Sequence, residues 1–127
     1  MIAMGTSCAY PPDLPFREDY FLVGEPDPDL YTYAMTKRML YEGLRALNHQ
    51  FGMEYRFLVP STLYGPGFDQ ADSHFIFDLA RKIIRGQEFS EPVVLWGDGS
   101  QVRELIYVDD AVRLIHLATE GKPNDIL

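Results

Sequence analysis

Apolar residues fill positions 1–5, Met1-Ile2-Ala3-Met4-Gly5, without a polar break. So short and continuous a run predicts a central parallel strand covered on both faces, ending at Thr6-Ser7-Cys8. Between residues 10 and 29, five prolines (Pro11, Pro12, Pro15, Pro26 and Pro28) exclude a helix or a central strand. They predict a surface loop with Arg17-Glu18-Asp19 facing water. A helical pattern then runs from about Leu30 to Gln50, with Asp29 as its N-cap and Gly52 as its stop. Gly43 inside it costs ~1 kcal/mol against Ala unless another backbone packs closely there.

Met53 to Val59 predicts a second strand, ended by Pro60, and residues 61–72 read as a loop marked by Tyr64-Gly65-Pro66-Gly67. A helix is predicted over 74–85, with Phe75, Leu79 and Ile83 on one stripe and Gly86 as its stop. Val93 to Trp96, a Gly97-Asp98-Gly99-Ser100 turn and Arg103 to Tyr107 predict two short strands. Asp109 or Asp110 caps a last helix to about Thr119, carrying Val112, Ile115 and His116, and residues 124–127 begin another strand. Strands joined by a helical crossover mean an α/β sheet, in which ligands sit beyond the carboxyl ends of the strands. Three segments converge on that rim: Thr6-Ser7-Cys8, the loop from Pro60 to Gly67, and the start of the long helix.

The long helix opens with Tyr33-Ala34-Met35-Thr36-Lys37. A Tyr and a Lys four apart lie one turn apart on the same face. Continued along the helix, that face carries Leu40, Leu44, Leu47 and Phe51, so the pair is expected to extend a buried stripe into a sheltered site. An ammonium beside a phenol stabilises the phenolate, which fits Tyr33 for general acid chemistry near neutral pH. The spacing alone is weak, since a Tyr-x-x-x-Lys arises by accident in roughly one such chain in five. Its neighbours must decide.

Composition narrows the field. The chain has 127 residues, 46% hydrophobic and 13% aromatic, which fits one globular domain with a core. A net charge of −8 argues against a nucleic-acid surface. No apolar run has the length to cross a bilayer, and the N-terminus lacks a signal-peptide pattern. A single cysteine, Cys8, excludes an internal disulfide framework and points to a reducing compartment, the cytoplasm by default. With no turn before the first strand and the last one only begun, the chain reads as an internal fragment of a longer protein.

These residues resemble the extended short-chain dehydrogenase/reductases (the NAD-dependent epimerase/dehydratase family), which act on nucleotide sugars. Four stretches carry the resemblance in the family's order: Thr6-Ser7-Cys8-Ala9-Tyr10-Pro11; Tyr33-x-x-x-Lys37; Pro60-Ser61-Thr62-Leu63-Tyr64-Gly65-Pro66-Gly67; and Val94-Leu95-Trp96-Gly97-Asp98-Gly99 through Arg103-Glu104-Leu105-Ile106-Tyr107-Val108-Asp109-Asp110. Within the family the chain is most similar to the GDP-L-fucose synthase subfamily. Ser7-Cys8-Ala9-Tyr10-Pro11, Asp72-Ser73-His74 and the long loop between Cys8 and Tyr33 are the reasons. The resemblance implies the C-terminal portion of a Rossmann-like doubly wound parallel sheet, formed by 1–60 and roughly 103–120. Roughly 61–102 would be part of the small substrate-binding domain.

It further implies an NADP-dependent (alternatively NAD-dependent) epimerase-reductase of a nucleotide 4-keto-6-deoxy sugar. Tyr33 would protonate the sugar's C4 oxygen and Lys37 would hold the nicotinamide ribose. A hydroxyl would complete the triad: Thr6 stands at the matching position and supplies the same donor and acceptor as the family's commoner Ser, with Ser7 the second choice. Cys8 would be the base and His74 the acid of epimerisation, a thiolate and an imidazole being suited to that exchange near neutrality. Trp96 and Arg103 match positions that contact the nucleotide and its diphosphate.

Plainer readings stand beside these. Cys8 is otherwise a small buried hydrophobe, Trp96 core filling beside the two short strands, and Arg103 the partner of an exposed acid. Asp109-Asp110 reads as a helix cap, and His74 is far from any metal-ligand spacing, so no metal is expected. Thr62 departs from the Asn usual in the loop near the nicotinamide. No Gly-x-Gly-x-x-Gly occurs, so the pyrophosphate-binding turn is expected to precede Met1. Two other readings remain: another nucleotide-sugar epimerase, dehydratase or decarboxylase, and a fragment inactive by itself. The parent protein is expected to be a homodimer.

Overall fold

A computed structural model describes residues 1–67 and 74–127. Three parallel strands, β1 (Ile2–Met4), β2 (Arg56–Leu58) and β5 (Asp125–Ile126), form one sheet in the order β1-β2-β5. Ala3 is in register with Phe57, and Phe57 with Ile126. Helix α1 (Tyr31–Phe51) is the crossover between β1 and β2. Its C-terminus is closed by Gly52 in the left-handed conformation, as the sequence predicts. Asp29 is not the cap: Asp27 caps the short 3₁₀ turn Pro28–Leu30 by accepting from the Asp29 amide at 2.9 Å, and α1 grows out of that turn. Gly5 lies at the end of β1 against the Phe57 ring, where an added Cβ would stand 2.6 Å from a ring carbon.

The proline-rich segment is more than a surface loop. It carries two 3₁₀ turns, Glu18–Tyr20 and Pro28–Leu30, and delivers Phe21 into the centre of the core. Phe21 meets Tyr10, Tyr41 and Phe57 edge-on, with ring centroids 5.5, 5.6 and 5.3 Å apart. Edge-to-face geometry sets the positive rim of one ring on the negative face of the next. The prolines stop regular structure, but the aromatic between them still gains by leaving water. Arg17, Glu18 and Asp19 do face solvent.

The second sheet corrects two expectations. Thr62–Tyr64, placed in a loop by its Gly-Pro-Gly sequel, is a strand (β3), and it pairs in parallel with β4 (Leu105–Tyr107). Tyr64 and Tyr107, in register, bring their rings to 5.4 Å. Val93 to Trp96 is not a strand and lies exposed. Its apolar residues are continuous, but β4 pairs with β3 rather than with this segment. Gly65 lies against Val108, whose side chain would overlap a Cβ there.

Helix α2 (Phe75–Phe89) passes through Gly86 and ends at Ser90 in the left-handed region. Gly86 serves a close approach instead, with Val93 and the Glu91 carbonyl within 3.0 Å of where its Cβ would be. Helix α3 (Val108–Glu120) begins without a side-chain cap, and Asp109 and Asp110 lie in its first turn, where carboxylates complement the helix dipole. It buries Ala111 and Ala118 and leaves Val112 outside, so small residues, not the predicted Val112 stripe, form its inner face. It lies against β2, β3 and β4. Arg56 of β2 donates to the Gly121 carbonyl at its end at 2.8 Å.

Candidate active site

Helix α1 turns Ala34, Arg38 and Leu44 inward. The predicted stripe was therefore one position off: Tyr33 is 49% exposed and Phe51 74%, and of that stripe only Leu44 is buried. At about 100° per residue, the face that meets Phe57 and Phe21 is the one next to Tyr33's. Tyr33 stands at the margin of the packed surface.

Lys37, one turn on, is half-buried and bridges the two elements. Its ammonium donates to the Met4 carbonyl at the end of β1 at 2.9 Å and lies 5.8 Å from the centroid of the Tyr33 ring. The helix is thus tied at that point to the strand end that carries Thr6-Ser7-Cys8. Thr6 is buried and caps the 3₁₀ turn Ser7–Ala9, its hydroxyl oxygen accepting from the Cys8 amide at 3.3 Å. That contact occupies an acceptor and leaves the O–H free to donate. Cys8 sits mid-turn, half-buried.

Ser7 faces a small cavity of about 120 Å³ with Tyr10, Phe16, Glu18, Ser61 and Glu104. A much larger cleft, about 920 Å³, opens between α2 and the segment 95–105. Trp96 and Arg103 both line it, as do Lys82 and Gln101. Trp96, 93% exposed, fills no core. The two hollows are separated by one stretch of backbone: Glu104 lines the small cavity while its neighbours Arg103 and Leu105 line the cleft. Alternation along an extended chain produces that division.

His74 is the residue before α2, with Phe75, Ile76, Asp78 and Leu79 of the cleft following it. Asp72 and Ser73, which precede it in the motif, lie outside the described residues. Thr62 starts β3, opposite Leu105. The arrangement therefore gathers Thr6, Cys8 and Lys37, with Tyr33 beside it, at one strand end. Trp96 and Arg103 come together in the neighbouring cleft.

Two residues were missed in sequence. Lys82 falls on the cleft face of α2 at helical spacing from Phe75, Asp78 and Leu79, which could have marked it. Its ammonium, 3.1 Å from Asp78, gives the cleft a second cation beside Arg103. Arg38 is a buried charge one turn from Ala34 on α1, and no spacing in the sequence marked it. No group of three or more potential metal ligands occurs among the described residues. No helix among them is long and apolar enough to cross a membrane.

The chain is 35% identical over 123 residues to a GDP-L-fucose synthase of Escherichia coli K12, covering 92% of this chain and 38% of that protein. It is 32% identical to a GDP-L-colitose synthase of Yersinia pseudotuberculosis, covering 91% and 39%. A crystal structure of a GDP-L-fucose synthetase from Naegleria fowleri bound to NADP superposes with a TM-score of 0.82 at 22% identity, over 99% of this chain and 44% of that one, and shows a shared fold. The chain thus spans about two fifths of the length of these relatives. The sequence pattern of the NAD dependent epimerase/dehydratase family matches residues 1–126, and the chain belongs to that family.

Proposed function

We propose that this chain forms part of an NADP-dependent epimerase-reductase acting on a nucleotide 4-keto-6-deoxy sugar, in the manner of the GDP-L-fucose synthases it resembles. The observation that carries the reading is the tie between Lys37 and the Met4 carbonyl, which sets Tyr33 and Lys37 beside Thr6 and Cys8. The groups fit the nicotinamide-ribose end of the cofactor. Lys37 spends one of its three N–H donors on Met4 and keeps two for ribose hydroxyls. NADP, when bound, supplies the hydride. Thr62 lies in the segment assigned to the nicotinamide end.

Tyr33 delivers a proton to the C4 oxygen as that oxygen gains charge, and the Thr6 O–H hydrogen-bonds the same oxygen. Cys8 removes the proton from a carbon beside the ketone, and His74 returns one from the opposite face. Trp96 offers a flat apolar face to the nucleotide base, and Arg103 a planar fork to its diphosphate. Arg103 and Leu105 line the cleft, and Glu104 between them lines the neighbouring cavity that Ser7 faces. Residues 1–60 and roughly 103–120 serve the cofactor side, and roughly 61–102 the substrate side. The exposed α1 face bearing Met39, Leu40 and Phe51 suits a subunit contact in a homodimer.

The test is NADPH oxidation with a GDP-4-keto-6-deoxy sugar by the longer protein carrying this chain. Tyr33→Phe lowers the rate by about 100-fold or more; activity that survives it sinks the role of Tyr33. Cys8→Ala abolishes deuterium uptake from solvent at the carbons beside the ketone; uptake that persists assigns epimerisation to another base. By itself the 127-residue chain binds NADPH weakly or not at all, because it contains no glycine-rich pyrophosphate turn. Micromolar binding in a fluorescence titration contradicts that.

A further inference from the structure

Among the described residues, the guanidinium of Arg38 is the one buried charge, and the proposed chemistry leaves it unused. It is 6% exposed, and burial pulls its pKa down. Among the described residues its partners are carbonyl oxygens rather than a carboxylate. Nε donates to Ala9 at 2.9 Å and Nη2 donates to the same oxygen. Nη1 donates to Gly24 at 2.6 Å, and Nη2 also to Val23 at 3.1 Å. A planar fork with five donors holds three carbonyls in one fixed geometry; an ammonium on a flexible stem offers three donors without that geometry.

Those carbonyls are not scattered. Ala9 closes the 3₁₀ turn on which Cys8 sits, and Val23-Gly24 is where the proline-rich segment returns to α1. The preceding residue, Lys37, holds Met4. Two consecutive residues of α1 therefore hold the backbone before and after Thr6-Ser7-Cys8.

We propose that Arg38 is a positioning residue: by fixing Ala9 to α1 and to the proline-rich segment, it sets where the Cys8 thiol stands relative to Tyr33, without touching substrate. The proposal rests on the reading of Cys8 as the base of epimerisation. It separates two functions along one helix. Lys37 serves the reduction, and Arg38 serves proton exchange through Cys8.

The experiment uses the longer protein carrying this chain, as wild type, Arg38→Met and Arg38→Lys, with the folded fraction of each measured. Two rates are read: alkylation of Cys8 by iodoacetamide, followed by mass spectrometry of its peptide, and deuterium uptake beside the ketone. With Arg38→Met, deuterium uptake falls about tenfold to a hundredfold, the Cys8 alkylation rate changes by about tenfold, and KM for NADPH stays within about twofold. Arg38→Lys restores charge but not the fork, and recovers less than half of the loss.

An unchanged alkylation rate overturns the proposal. So does a fall in uptake and in NADPH oxidation by the same factor, in step with the folded fraction, because that is what mere destabilisation produces. Should the wild type take up no deuterium, the assignment of Cys8 as base falls, and alkylation alone decides the role of Arg38: a changed rate at constant folded fraction upholds the fixing of the turn, an unchanged one overturns it.

Discussion

The strand-end region and the cleft region handle apolar surface in opposite ways. Around β1, β2, β5 and α1, the rings of Phe21, Phe57, Tyr10 and Tyr55 are buried together, and even the one charge among them, Arg38, has partners for its donors. In the cleft region, α2 buries no side chain, and residues 91–105 are exposed throughout. Yet α2 and the segment 93–96 are as apolar as the core segments. The difference teaches that hydrophobicity fixes a surface only when something complementary faces it. Under the proposed function, a ligand with a flat base and a negative diphosphate would cover the apolar groups left open around the cleft lined by Trp96, Lys82 and Arg103.

The contrast can be broken most directly at Phe57. Phe57→Ala removes the ring shared by Phe21 and Tyr41 and should cost about 3–5 kcal/mol in denaturant unfolding. A loss under ~1 kcal/mol would mean that this region is not the stabilising core.

The two regions should also part company with pH. Burial, with Tyr55 beside it, pushes the Tyr41 phenol up to about 12, whereas an unfolded Tyr ionises near ~10. A raised pKa means that its contribution is complete below about pH 10 and is lost as the pH climbs towards about 12. Asp78 on α2 has the other sign. Hydrogen bonds from Lys82 and then Arg81 hold its carboxyl below the ordinary value, so its contribution is present above about pH 4 and lost as acid takes the pH through the lowered value. Near-ultraviolet circular dichroism of the aromatic core in alkali, against amide exchange of α2 in acid, reads the two separately. Simultaneous loss of both signals at either extreme would merge the regions into one cooperative unit.

A smaller effect tests the outer face of α1. Nothing lies within 4 Å of where a Cβ on Gly43 would be, so Gly43→Ala should stabilise this chain by ~1 kcal/mol. A loss instead of a gain would mean that a second backbone seats on that face. The smallest stability change belongs to Trp96→Ala, under ~0.5 kcal/mol, because its ring is already in water. The same substitution should raise KM for the nucleotide sugar. An unchanged KM would remove Trp96 from the ligand's path.

Much of this was legible in the residues. The short apolar run at 1–5 located β1, the segment Met53 to Val59 before Pro60 located β2, and Gly52 ended α1, because local steric rules leave few alternatives. The candidate residues of the strand end, Thr6, Cys8, Tyr33 and Lys37, were named from spacing and family likeness. The sequence could not say which face of α1 is buried: Tyr33 and Ala34 stand one position apart, and both stripes carry leucines. Only the position of Phe57 and Phe21 chose the Ala34–Arg38–Leu44 face.

Long-range pairing was the other thing local pattern could not reach. Thr62–Tyr64 looked like a loop and Val93–Trp96 like a strand, because strand formation depends on a partner forty residues away as much as on the residues themselves. The burial of Arg38 was not visible in sequence, because its carbonyl partners, Ala9 of the strand-end turn and Val23 and Gly24 of the proline-rich segment, meet it only in the tertiary structure. Sequence alone determined the elements and the candidate groups. The tertiary contacts decided which groups meet, since hydrogen bonds and ring contacts act over a few ångströms and chain order carries no distance.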